Sequence, residues 1–115
     1  MEKVDALAAL AALAQESRLD IYRLLVRAGP EGVPAGRIGS DLGLPSPTLS
    51  FHLAQLANAG LVRRRREGRS LFYAAAYPVM NGLLAYLAEN CCRDSACDDP
   101  CTTQTAPMAP EEPNS

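Results

Sequence analysis

Apolar positions along the chain recur mostly at three- and four-residue spacing, which predicts helices rather than strands for most of its length. Val4, Leu7, Leu10 and Ala14 mark one stripe of an alanine-rich helix over 4–14, narrow enough to suit pairing with another helix. A second helix is predicted to start at Ser17, a good N-cap with Asp20 three residues on. It runs through Ile21, Leu24, Leu25 and Ala28 to a Gly29-Pro30 stop. A short third helix with Pro34 in its first turn buries Ile38 and Leu42 and ends at Gly43. After the tight Gly43-Leu44-Pro45 connection, Ser46 offers a capping hydroxyl and Pro47 a first-turn proline, and Leu49, Leu53, Leu56 and Ala57 form one face until Gly60.

Two helices joined by so short a glycine-containing turn are a helix-turn-helix candidate. The β-prone runs Leu61–Arg66 and Ser70–Ala74, separated by Glu67-Gly68-Arg69, then predict a hairpin with an arginine-rich strand and tip. A final helix begins near Pro78, with Met80, Leu84, Leu87 and Cys91 on one stripe, so that Cys91 falls where helix becomes tail.

In a helix-turn-helix protein the second helix enters the major groove. Its polar residues here are Ser46, Thr48, Ser50, His52 and Gln55, of which Thr48, His52 and Gln55 share a face opposite the leucines. An ordinary solvated face is the competing account of the same pattern. Charge favours DNA. Residues 16–75 carry nine arginines against five acids, whereas residues 76–115 carry one arginine against six acids, although the whole chain is only −2. A basic middle suits a polyanion, and Arg65, Arg66 and Arg69 on the hairpin can meet phosphates.

A chain of 115 residues fits one small domain. Its longest apolar stretch, Val4–Ala14, contains Asp5 and is about half a membrane span, and no basic leader precedes it, so a cytoplasmic protein without a membrane partner is expected. No phosphate loop or catalytic grouping points to an enzyme, and the single histidine has no nucleophile to activate. A helical protein-interaction module is the alternative from another class, and it leaves the arginine cluster unexplained.

All four cysteines, Cys91, Cys92, Cys97 and Cys101, lie within eleven residues, which favours metal binding or redox sensing over structural disulfides. An all-thiolate set selects soft ions. Adjacent helical residues point ~100° apart, so Cys91 and Cys92 can share an ion only if the helix unwinds there. Asn90 as a C-terminal cap would permit that, and Cys97 could then fold back as a third ligand. A four-thiolate zinc site, a thiol redox switch and a functionless tail are the other readings of these residues.

The run Pro45-Ser-Pro-Thr-Leu-Ser-Phe-His-Leu53, then Gln55-Leu56, Ala59-Gly60-Leu61-Val62 and Arg65-Arg66-Glu67-Gly68-Arg69 with Tyr73, closely resembles the ArsR/SmtB family of metalloregulatory repressors. Glu16–Leu25 is similar to that family's second-helix signature. The resemblance covers roughly residues 2–101. It implies a winged-helix α+β fold, mainly helical, that forms a homodimer through its first and last helices, with Leu7, Leu10, Met80, Leu84 and Leu87 as the expected dimer contacts, and leaves operator DNA when metal binds. It matches Ser46, Thr48, Ser50 and His52 to the reading helix and Arg65, Arg66 and Arg69 to the wing.

Two departures locate the sensor. Ile38-Gly39-Ser40-Asp41 stands where well-known arsenic sensors of the family carry Cys-x-Cys, and residues 77–90 hold neither His nor Asp for a zinc or nickel site. The remaining cysteines look like the C-terminal site of some arsenic-responsive members, whose three thiolates suit pyramidal trivalent arsenic. The expected inducer is therefore As(III) or Sb(III), with Cd, Pb or Zn as other soft metals, held by Cys91, Cys92 and Cys97 and with Cys101 as a further or alternative ligand. The expected organisation is a DNA-binding and dimerisation domain over 1–92, a sensing segment over 91–101 and a disordered tail over 102–115.

Overall fold

A computed structural model of the chain describes residues 1–93. Cys97, Cys101 and the expected disordered tail lie outside the described residues. Five helices and three strands follow in the order α1 (Lys3–Leu13), α2 (Glu16–Ala28), β1 (Val33–Pro34), α3 (Ala35–Leu42), α4 (Ser46–Asn58), β2 (Val62–Glu67), β3 (Ser70–Ala75) and α5 (Tyr77–Ala88). The strands form one antiparallel sheet in the order β1-β3-β2. The expected mainly helical α+β architecture with a hairpin wing is present.

Ile21 and Leu25 of α2, Ile38 of α3, Leu53 and Leu56 of α4, and Leu61 before the wing are fully buried and form the centre of the core. The predicted apolar faces of α2, α3 and α4 therefore converge. Tyr77 ties the start of α5 to the end of α2, its hydroxyl donating to the carbonyl of Val26 at 2.9 Å. That bond sets where the last helix leaves the core.

The helix starts differ from those expected. Gln15, not Ser17, caps α2, its side-chain oxygen accepting from the Arg18 backbone N–H at 2.9 Å. Pro45, not Ser46, is the N-cap of α4. Its φ of −63° and ψ of 151° place it in the extended conformation a cap requires, and its carbonyl accepts from Leu49 N–H at 2.9 Å. Ser46 thus enters the first turn with its hydroxyl uncommitted to a cap.

β1 has no counterpart in the hydrophobic pattern, because two residues are too short to show alternation. Val33 pairs with Tyr73, and the approach is possible because the preceding residue is Gly32, with φ +89° and a hypothetical Cβ only 2.8 Å from the Tyr73 carbonyl oxygen.

α1 has two apolar faces. Its buried residues are Ala6, Ala9 and Ala12, while the predicted stripe of Val4, Leu7 and Leu10 faces outward. Small side chains let the helix lie close to α2, α4 and α5, so the alanine face turns inward. In α5 the buried residue is Leu83, with Met80 half-buried against the core and Leu84 and Leu87 exposed. The helix stops at Ala88, short of Cys91.

Candidate nucleic-acid interface and thiol site

Successive residues of α4 advance by ~100° around its axis. Leu49, Leu53, Leu56 and also His52 are buried, whereas Ser46, Pro47, Thr48, Ser50, Phe51, Ala54, Ala57 and Asn58 are exposed. Gln55 is half-buried at the boundary. The inward arc is one position wider than the leucine stripe, and that position is His52. The expectation of an outward, base-reading His52 is corrected by this burial: only 8% of the residue is exposed, and its Nδ1 accepts a hydrogen bond from Arg18 Nε at 3.2 Å. A ring accepting at Nδ1 carries its proton on Nε2 in the neutral form. The hydroxyls of Ser46, Thr48 and Ser50 have no partner among the described residues and remain open to a ligand.

The wing presents Arg63, Arg64, Arg65, Arg66 and Arg69, all exposed. Glu67 pairs with Ser70 across the Gly68-Arg69 turn, and Gly68 supplies the positive φ (+63°) that this tight loop requires. Alternation along β2 sends Arg64 and Arg66 to one face and Arg63 and Arg65 to the other. Arg65 is held within the fold. Its guanidinium donates to the Glu31 carbonyl oxygen at 3.1 Å, lies 4.9 Å from the centre of the Phe72 ring opposite, and comes within 3.5 Å of the Glu67 carboxylate. These interactions brace the wing against the turn before β1. Arg64, Arg66 and Arg69 have no such partners among the described residues.

On another part of the surface, Leu7 (59% exposed), Leu84 (57%) and Leu87 (58%) stand open on α1 and α5, with Leu10 somewhat less so. Of the five expected dimer contacts, Met80 alone packs against the core of its own chain.

Beyond α5 the chain leaves the helix at Glu89, and Asn90 adopts φ +60°, the left-handed conformation that asparagine tolerates after a helix. Cys92 follows with φ +62°. This unwinding brings two adjacent side chains together, with Cys91 Sγ and Cys92 Sγ 3.6 Å apart. Two thiolates each ~2.3 Å from one ion at a tetrahedral angle stand roughly 3.8 Å apart, so the pair is close to chelating geometry. Among the described residues no cluster of three or more potential metal ligands is present.

Residues 13–65 match the family described as a helix-turn-helix domain. The transcriptional activator HlyU of Vibrio cholerae is 34% identical over 95 residues, covering 81% of this chain and 85% of HlyU. An ArsR-like transcriptional regulator from Rhodococcus sp. RHA1 superposes with a TM-score of 0.66 at 27% identity, covering 73% of this chain and 76% of that one. The chain belongs to the ArsR-like family of helix-turn-helix transcriptional regulators. The homodimeric winged helix-turn-helix DNA-binding domain of a Mycobacterium bovis protein, described as a possible ArsR-family regulator, is 30% identical with a TM-score of 0.61, covering 75% of this chain and 80% of that one. An uncharacterized helix-turn-helix regulator of Mycobacterium tuberculosis is 38% identical over 73 residues, a stretch that covers 64% of this chain and 62% of that protein.

Two residues that meet on the surface of α4 escape a reading of the sequence. Phe51, between Ser50 and His52, lies off the leucine stripe and, being apolar, is not among the polar residues of α4, yet it is 56% exposed. Arg18 belongs to a separate helix, yet it reaches across to α4. Neither has a signal in linear spacing, because the pair forms only when α2 packs on α4.

Proposed function

We propose that the chain is a homodimeric repressor that binds operator DNA in its metal-free form and leaves it when trivalent arsenic or antimony binds Cys91, Cys92 and Cys97. Helix α4 enters the major groove with Ser46, Thr48, Ser50 and Gln55, and the free arginines of the wing neutralise phosphates. Leu7, Leu10, Leu84 and Leu87 meet their counterparts in a second copy, which implies a palindromic operator with half-sites ~34 Å apart. The protein acts in the cytoplasm, where the regulated DNA is.

The observation that carries the sensing part is the 3.6 Å approach of the Cys91 and Cys92 sulfurs at the unwound end of α5. Soft thiolates prefer soft ions. A third thiolate drawn in from Cys97 would reorganise the end of the helix that presents Leu84 and Leu87, and so alter the spacing of the two reading helices. For release, the ion must favour the DNA-free dimer, and typical coupling is about 1–3 kcal/mol.

The test is release of a fluorescent operator duplex during arsenite titration. Cys91→Ser, Cys92→Ser and Cys97→Ser should bind DNA normally and fail to release it, while Cys101→Ser should respond nearly as wild type. Release of all four variants at the wild-type arsenite concentration would rule out this sensor. Equal dependence on all four cysteines would favour a four-thiolate site for Zn, Cd or Pb. The same approach of two sulfurs also favours a second reading, oxidation of the pair to a disulfide. Release by an oxidant such as diamide, reversed by dithiothreitol, with no response to arsenite, would select it.

A further inference from the structure

We propose that Phe51 reads the 5-methyl group of a thymine in the major groove, and that Arg18 and His52 hold its ring in position. The inference rests on the DNA-binding reading above and names a base that α4 selects. Phe51 lies within the outward arc of α4, and a phenyl ring has no hydrogen-bonding atom. The distinctive feature it can recognise in the major groove is therefore the thymine methyl, the one apolar group displayed there.

Solitary exposed apolar residues are common and need no purpose. Phe51 differs because it is braced. The Arg18 guanidinium lies over its ring, 5.7 Å from the centre, within the range of a cation–π interaction. Arg18 is fixed in turn by its Nε bond to the buried His52, whose own ring meets Phe51 edge-on with centres 5.7 Å apart. The buried histidine is thus explained without a base contact: it accepts from the arginine that covers the phenyl ring. Such fixing lowers the entropy lost when the ring is ordered against a ligand.

The surroundings favour a groove over a protein partner. Exposed neighbours on α4 are Pro47, Ser50, Ala54 and Asn58, small or polar residues that let the helix sink deeply. The α1 and α5 surface, in contrast, carries several large apolar residues together.

The test starts with duplexes selected from a random library by the wild-type protein. Each thymine is replaced in turn by deoxyuridine, which lacks only the methyl, and affinity is read by fluorescence anisotropy. Wild type should lose about fourfold at one thymine of each half-site, the scale of one buried methyl group. Phe51→Ala should bind thymine and uracil duplexes equally while remaining the same oligomer by sedimentation. Arg18→Leu should lose most of the discrimination, and Arg18→Lys, which keeps the charge but cannot reproduce the Nε bond to His52, should not restore it. No deoxyuridine effect on wild type, or an undiminished effect in Phe51→Ala, overturns this inference alone. A protein that retains no duplex overturns the DNA-binding reading with it.

Discussion

The outward sides of α1 and α5 carry Leu7, Leu84 and Leu87, each more than half exposed, whereas the outward sides of α4 and the wing carry serine and threonine hydroxyls and a run of arginines. Both regions are left open by a fold whose core is already filled by Ile21, Leu25, Ile38, Leu53 and Leu56. The first is costly in water and gains by being covered with more apolar surface. The second is well solvated and gains little from another protein, but its arginines can neutralise a polyanion's phosphates and so release the cations condensed on it. One small domain thus presents two surfaces suited to two partners, and placing them on different elements lets each be broken alone.

The largest effect is expected at the apolar surface. Replacing Leu84 and Leu87 together with Asp should leave the core intact, since both are exposed, and convert dimer to monomer in analytical ultracentrifugation. A monomer engages one half-site, so operator affinity should fall by about 10²- to 10⁴-fold with the loss of bivalency. A variant that stays dimeric with unchanged affinity would move the dimer interface elsewhere.

A smaller effect is expected at the wing, and it should depend on salt. Arg64→Ala with Arg66→Ala removes two cations that have no partners among the described residues. For every phosphate left without its arginine, the slope of log affinity against log salt should flatten by ~0.9. Random and operator duplexes should weaken alike. Arg65→Ala should do less to the slope because its guanidinium is held by Glu31, Glu67 and Phe72, and its removal should appear as a lower thermal midpoint. Equal slopes for all three arginines would show that Arg65 exchanges its internal partners for phosphate.

The smallest effect is expected from a single hydroxyl of α4. Thr48→Ala should reduce operator affinity by about 1 kcal/mol, roughly fivefold, with random DNA unaffected. An equal reduction on both duplexes would place Thr48 on a phosphate. His52→Ala, by contrast, should lower stability as well as affinity, because it opens a hole in a buried position and releases Arg18.

Several features of this protein were determined by its sequence alone. Three- and four-residue spacing sufficed for the order of the five helices, and Gly68 between two β-prone runs sufficed for the wing. Asn90 after the last helix anticipated the left-handed turn that brings Cys91 and Cys92 together. Those are local matters, decided by backbone preference and by which side chains fall on one side of an axis. Only the tertiary structure decided which side turns inward when a helix has two apolar faces. In α1 the alanines won over the leucines because a close approach to three other helices leaves no room for larger side chains. The same packing took His52 from the outward face of α4, joined Arg18 to Phe51 across two helices, and withdrew Arg65 from the free arginines of the wing. Each depends on distances between residues far apart in the chain, to which periodicity along a single element is blind.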